Sequence, residues 1–259
     1  MGHERIGILP RRKKWRDVVR NIQTALGGDS ESVSALTART LDNVRLRYRR
    51  LHQDRGVQAA FSYLVALTTS KLPAEAGLTG IDTDLESNPS PLRITRNLIG
   101  SVNQHIESTE YAELACRAAA DTIAMWSKSQ SQQKHLFDDS KSASSIWSES
   151  IDGRAFCTIA HTFFSSLTSH YLRYFIDREA SAEAPSLQSR ERLERSISKN
   201  IDDISQHAFE TAKITKSFAA GWFNKRAKNR RPTDKEVSGF LAFAFGKLQE
   251  EIKRESVHK

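Results

Sequence analysis

Arg154 and His161 stand seven residues apart in the stretch RAFCTIAH. Seven residues make about two turns of an α-helix, so both side chains fall on one face. A histidine moves protons near neutrality, and an arginine steadies the charge that builds on a phosphorus centre in the transition state. Together the two residue types suit phosphodiester cleavage without a metal. Other chemistry is poorly provided for. The chain has no HExxH, CxxC or GxxxxGK[ST] motif, and no Ser-His-Asp arrangement can be argued from spacing. Asp82, Asp84 and Glu86 alternate in IDTDLES, but the glycine and the later glutamate of a calcium loop are missing. His135 with Asp138 and Asp139 makes no better ligand set. Neither a metal nor a cofactor is expected.

The Arg154–His161 pattern resembles the R-x(4–6)-H signature of HEPN ribonucleases over eight residues. That resemblance implies an all-α fold and a homodimer whose arginine and histidine meet a partner copy and cleave RNA. Two departures stand out. The six intervening residues are the longest spacing the family allows, and the polar residue that often follows its arginine is Ala155 here.

Charge points to a different activity. The net charge is +8 with a pI near 9.6, which favours a polyanionic partner: DNA, RNA or an acidic protein. The charge is uneven. Residues 1–50 carry 12 Lys and Arg against 5 Asp and Glu, residues 51–200 carry 15 against 18, and residues 201–259 carry 12 against 8. Both ends are basic and the middle is not, so the expected binding residues lie at the ends. They are Arg11, Arg12, Lys13, Lys14, Trp15 and Arg16, with Arg45, Arg47, Arg49 and Arg50 beside them, and Lys225, Arg226, Lys228, Arg230 and Arg231 in a second patch. Trp15, inside RRKKWR, is placed to stack on a base while its neighbours neutralise phosphates. The order Trp222-Phe223-Asn224 before a basic run resembles the homeodomain recognition helix over about seven residues, but it lacks one residue between Phe and the basic run. Phe218, Trp222 and Phe223 are therefore expected in the core.

Strand signals are nearly absent and helical periodicity is common, so the fold expected is all-α: a single multi-helix bundle over residues 1–259. Helices are expected over 11–26, 32–53, 57–70, 91–106, 108–126 and 153–178, with Gly56 ending the second. A long penultimate helix follows from Leu187 to Phe223, kinked near Gly221 or broken near Asp202. Thr233 and Glu236 form a capping box for a last helix. Residues 1–28 read as a basic arm, 71–90 as a loop, and the Ser-rich stretch 127–150 as a flexible loop. Ala155–Leu172 holds no Asp, Glu, Lys or Arg, yet its Ser, Thr and His residues mark a core helix rather than a membrane span. Two cysteines and no apolar leader at the start suit a cytoplasmic protein with reduced thiols.

These readings favour a non-catalytic nucleic-acid-binding or complex-accessory protein, alone, as a homo-oligomer or in a hetero-complex. A HEPN-like ribonuclease is the first alternative. A subunit or adaptor offering a groove on its last two helices is the second. The ribonuclease reading predicts that the chain is a homodimer and that His161→Ala abolishes RNA cleavage. Cleavage that is unchanged in the variant would end it.

Overall fold

The fold is given by a computed structural model, which describes residues 13–26, 30–68, 90–105, 110–135, 147, 152–211 and 213–255. Arg11, Arg12, Asp82, Asp84, Glu86, Asp138 and Asp139 lie outside them. Nine helices occur among the described residues: α1 (Lys13–Ala25), α2 (Ser30–Arg50), α3 (Arg55–Leu67), α4 (Pro91–His105), α5 (Glu110–His135), α6 (Gly153–Glu183), α7 (Leu187–Thr211), α8 (Lys213–Trp222) and α9 (Asp234–Glu255). No strand occurs among them. The all-α bundle expected from periodicity is the fold observed.

The sequence dictates most helix starts through side-chain caps. Asp54 accepts from the backbone N–H groups of Gly56 and Val57 and opens α3. Asp152 does the same for α6 through Arg154 and Ala155, and Ser90 accepts from the Arg93 N–H ahead of Pro91. Each cap satisfies donors that the first turn leaves without a helical partner. The Thr233–Glu236 box is present: Glu236 Oε2 accepts from the Thr233 N–H at 2.9 Å, and Thr233 Oγ1 accepts from the Glu236 N–H at 3.3 Å.

α6 is the axis of the bundle and packs against α1, α2, α5, α7 and α8. Its apolar side feeds a continuous aromatic core. Phe156 stacks on Phe223 at 4.8 Å and meets Trp222 and Phe240, while Phe61 of α3 touches Phe156, Phe163, Phe164 and Phe240. Such pairs contribute about 0.5–1.5 kcal/mol each beyond the area they bury. The polar edges of α6 close onto its neighbours instead of facing lipid. Ser165 donates to Asp202, Ser169 pairs with Ser198, and Arg173 donates to Glu194, one contact per turn against α7. Ser166, His170 and Tyr174 face Asp121 and Glu110 on α5. No described helix is long and apolar enough to cross a membrane.

Several boundaries differ from the sequence reading. Gly56 does not end α2. It lies inside α3, where a Cβ would collide with Cβ of Ala112 on α5. Glycine there permits a close helix approach, and Asp54 makes the break. α5 continues through 127–135, the first part of the stretch expected to be a loop. Ser127 is buried and Trp126 packs on Trp147 at 6.3 Å. The penultimate helix is unbroken at Asp202, is described as α7 and α8 on either side of residue 212, and passes at Trp222 into a π-turn over Phe223–Ala227.

Gly56→Ala is expected to cost about 1–3 kcal/mol, because the helices must part to admit a methyl group. Gly100 on α4 faces open space, so Gly100→Ala should gain up to about 1 kcal/mol from helix propensity. Urea unfolding midpoints of the two variants check both signs.

Candidate functional site

Five arginines and one carboxylate lie between Arg39 and Arg50 of α2. At 100° per residue, Arg39, Arg45, Arg49 and Arg50 fall within about 140° of the helix circumference. Tyr48 fixes which arc that is. It is fully buried, hydrogen-bonded to Thr168 of α6 at 2.7 Å and packed on Phe245 and Tyr171. The arginine arc consequently faces water, and Arg39, Arg45, Arg47, Arg49 and Arg50 are all exposed.

This arc is the floor of a furrow of about 1090 Å³, walled by Asp17 of α1 and by Gln249, Glu250 and Lys253 of α9. Its cations are Arg39, Arg45, Arg49 and Lys253, and its carboxylates are Asp17, Asp42 and Glu250. Each carboxylate already has a cation on its own helix: Arg20 for Asp17 at 3.5 Å, Arg45 for Asp42 at 3.6 Å and Lys247 for Glu250 at 2.8 Å. Arg39 binds only a neutral group among the contacts resolved, donating to Asn21 at 3.4 Å. Of the basic residues expected from the sequence, Arg45 and Arg49 line this furrow. Sequence reasoning missed Arg39, isolated in an otherwise uncharged stretch, and Lys253, two hundred residues away and brought in by the α2–α9 packing. The furrow can hold anionic groups along one helix.

Trp15 corrects the sequence reading. It is only 5% exposed and stacks on Phe175 of α6 at 5.8 Å. It anchors α1 to the core and offers no base-stacking surface. Arg16 beside it is exposed, and Lys13 and Lys14 form the first residues of α1.

Two of the five cations of the second basic cluster, Arg226 and Arg230, are committed to one carboxylate. Glu236 receives Arg226 at 2.8 Å and a two-pronged contact from Arg230 at 2.7 and 2.9 Å. Hydrogen bonds from Arg230 and from the Thr233 N–H hold its carboxyl down at about 2. Lys225, Lys228 and Arg231 are exposed. The two clusters do not merge into one patch. α9 runs antiparallel to α2: Ser238 donates to the His52 carbonyl at 3.1 Å, while Gln249–Lys253 line the furrow upstream of His52. Glu236 and Gln249 are thirteen residues apart, about 20 Å along the helix. The clusters occupy successive levels of one α2–α9 pair.

Arg154 and His161 are both on α6, and they point into different surroundings. Arg154 is exposed in the first turn, next to Gly153, whose Cβ position lies 2.7 Å from Cβ of Ala220 on α8. The start of α6 is thus packed on α8. His161 has a side chain 19% exposed, with Nε2 4.0 Å from Asp202 on α7. A second histidine, His170, was not singled out from the sequence. Its Nε2 lies 2.8 Å from Asp121 Oδ2, the same oxygen that accepts from Ser166. Burial pushes the Asp121 carboxyl up, but the bonds from His170 and Ser166 outweigh it and leave the group below its ordinary value. The connectivity is wrong for an activated nucleophile, since the hydroxyl is spent on the carboxylate and not on the imidazole. Among the described residues no group of three or more His, Cys, Asp or Glu is arranged to hold a metal.

Glu236 supplies a pH test. A depressed carboxyl gives stability that is present above its unfolded value near 4.5 and lost as pH falls toward about 2. Wild type should exceed Glu236→Gln in thermal stability at neutral pH, and the gap should close on acidification through that window. A gap that is independent of pH would contradict the clamp. No family model matches this chain, and neither do any curated protein or solved structure.

Proposed function

We propose that this chain binds nucleic acid as a non-catalytic or accessory protein, through the arginine furrow on α2. The observation that carries the reading is the row of Arg39, Arg45 and Arg49 on a water-facing helix, where Asp17 and Glu250 pair with cations outside the row and Asp42 meets Arg45 only at 3.6 Å. Exposed cations of this kind gain by releasing the counterions of a polyphosphate. Arg16 and Arg50, both exposed, add positive charge near the furrow, whereas Arg47 lies off the arc toward Tyr111. Lys225 and Lys228, exposed at and just after the π-turn, add further positive charge. The ribonuclease and adaptor alternatives draw on fewer observations. Arg154 and His161 have separate surroundings, and the apolar stripe of α9 is spent on the core through Val237, Leu241, Ala244 and Leu248.

Binding of labelled DNA and RNA to the full chain, followed by anisotropy at several salt concentrations, tests this. Affinity should fall steeply with salt. Arg45→Ala combined with Arg49→Ala should lower the log–log slope by about 2, one unit for each lost phosphate contact. Arg226→Ala should change it less, because that side chain is held by Glu236. A slope that is flat, or unmoved by the α2 variants, would overturn the reading.

A further inference from the structure

We infer that the α2 furrow seats the sugar–phosphate ridge of a double helix and does not read its bases. The inference rests on the nucleic-acid reading above and adds the form of nucleic acid. Three observations lead to it.

The first is shape. α2 is the floor of the furrow, with α1 on one side and the last turns of α9 on the other. A helix that reads bases must project into a major groove about 12 Å wide and 8.5 Å deep. α2 is exposed along the furrow but flanked by α1 and α9, so it does not project as a groove-reading helix must. A shallow channel lined by cations accepts the convex backbone between two grooves. Phosphate contacts position a protein on nucleic acid and carry no sequence information.

The second is the lack of a stacking platform. Recognition of single strands leans on aromatic side chains against successive bases. Among the residues whose side chains are described no large aromatic is exposed: the exposed large apolar side chains are Leu46, Leu92, Ile99, Met125 and Leu187. Trp15, Tyr48 and Phe223, the aromatics beside or within the basic clusters in sequence, are all buried.

The third is spacing. The furrow runs from Ala35 to Arg49, about 21 Å of straight helix. A duplex presents one charge per roughly 1.7 Å of its axis, in fixed positions. A rigid row of arginines matches a rigid row of phosphates. A single strand must first be ordered against that row, at a cost in conformational freedom.

The full chain is titrated with a DNA duplex and an RNA duplex of about two helical turns, with their separated strands, and with a second duplex of unrelated sequence. A duplex is expected to bind about tenfold or more tighter than its strands, with the two sequences equal within about twofold. Arg39→Ala with Arg49→Ala should lower the duplex salt slope by about 2, with unchanged helicity by circular dichroism as the folding control. Strands that bind as tightly as duplex, or a tenfold sequence preference, would overturn this inference and leave the nucleic-acid reading standing. No salt-dependent binding to any of these duplexes or strands would overturn both.

Discussion

The packing of Phe156, Phe240 and Tyr48 around α6 is the constraint from which the surface follows. Phe156 and Phe240 lock α6 to α8 and to the start of α9, and Phe240 also stacks on Phe61 of α3 at 5.4 Å. Tyr48 does the corresponding work for α2, held by Thr168, Tyr171 and Phe245. Once these rings are buried, the rotation of α2 about its axis is fixed, and with it the direction in which its arginines point. The Ser238–His52 contact then sets how far α9 extends beside α2. The furrow follows from hydrophobic packing on the opposite side of the same helix.

Two groups of arginines with similar sequence context end in different electrostatic states. Arg226 and Arg230 converge on one carboxylate, which also caps α9, so pairing and helix initiation reinforce each other. An isolated exposed ion pair gives about 0.2–1 kcal/mol, but a network that shares one already ordered acceptor loses less side-chain freedom per contact. On α2 the only acid in reach along the helix is Asp42, and its contact with Arg45 is long, at 3.6 Å. Arginine density by itself does not separate the two cases. What separates them is the presence of Glu236 at the third position of the helix that follows, where the capping box holds it in place.

The class of fold, the order of the helices and the caps were legible because they depend on local chemistry. Ser90-Pro91 and the Thr233–Glu236 box need only a few neighbouring residues, and the apolar stripe of α9 repeats at helical spacing. What failed depends on partners distant in sequence. Gly56 looks like a helix breaker until Ala112 is seen against it. The polar run after Trp126 looks like a loop, but Ser and Gln are only mildly unfavourable in a helix, and Ser127 and Trp126 find cover. Trp15 looks like an aromatic among phosphate-binding cations until Phe175, 160 residues later, takes its face. Arg45 and Arg49 stand out from composition alone. The recess around them, which gives the candidate site its form, comes from α1 and α9 and has no local signature.

The acids in the middle of the chain have a structural role. The central segment, net negative, supplies the acids that satisfy cations and hydroxyls at the seams of α6: Glu110 for Tyr174, Asp121 for Ser166 and His170, and Glu194 for Arg173 and Arg190. These acids are spent between helices, where desolvation makes an unpaired polar group expensive. Acids are spread evenly along the chain, 13 of 31 lying in the two end segments, and the ends are basic because they carry 24 of the 39 Lys and Arg. A bundle whose axial helix is uncharged from Ala155 to Leu172 needs polar seams at its edges to fix which neighbour lies where.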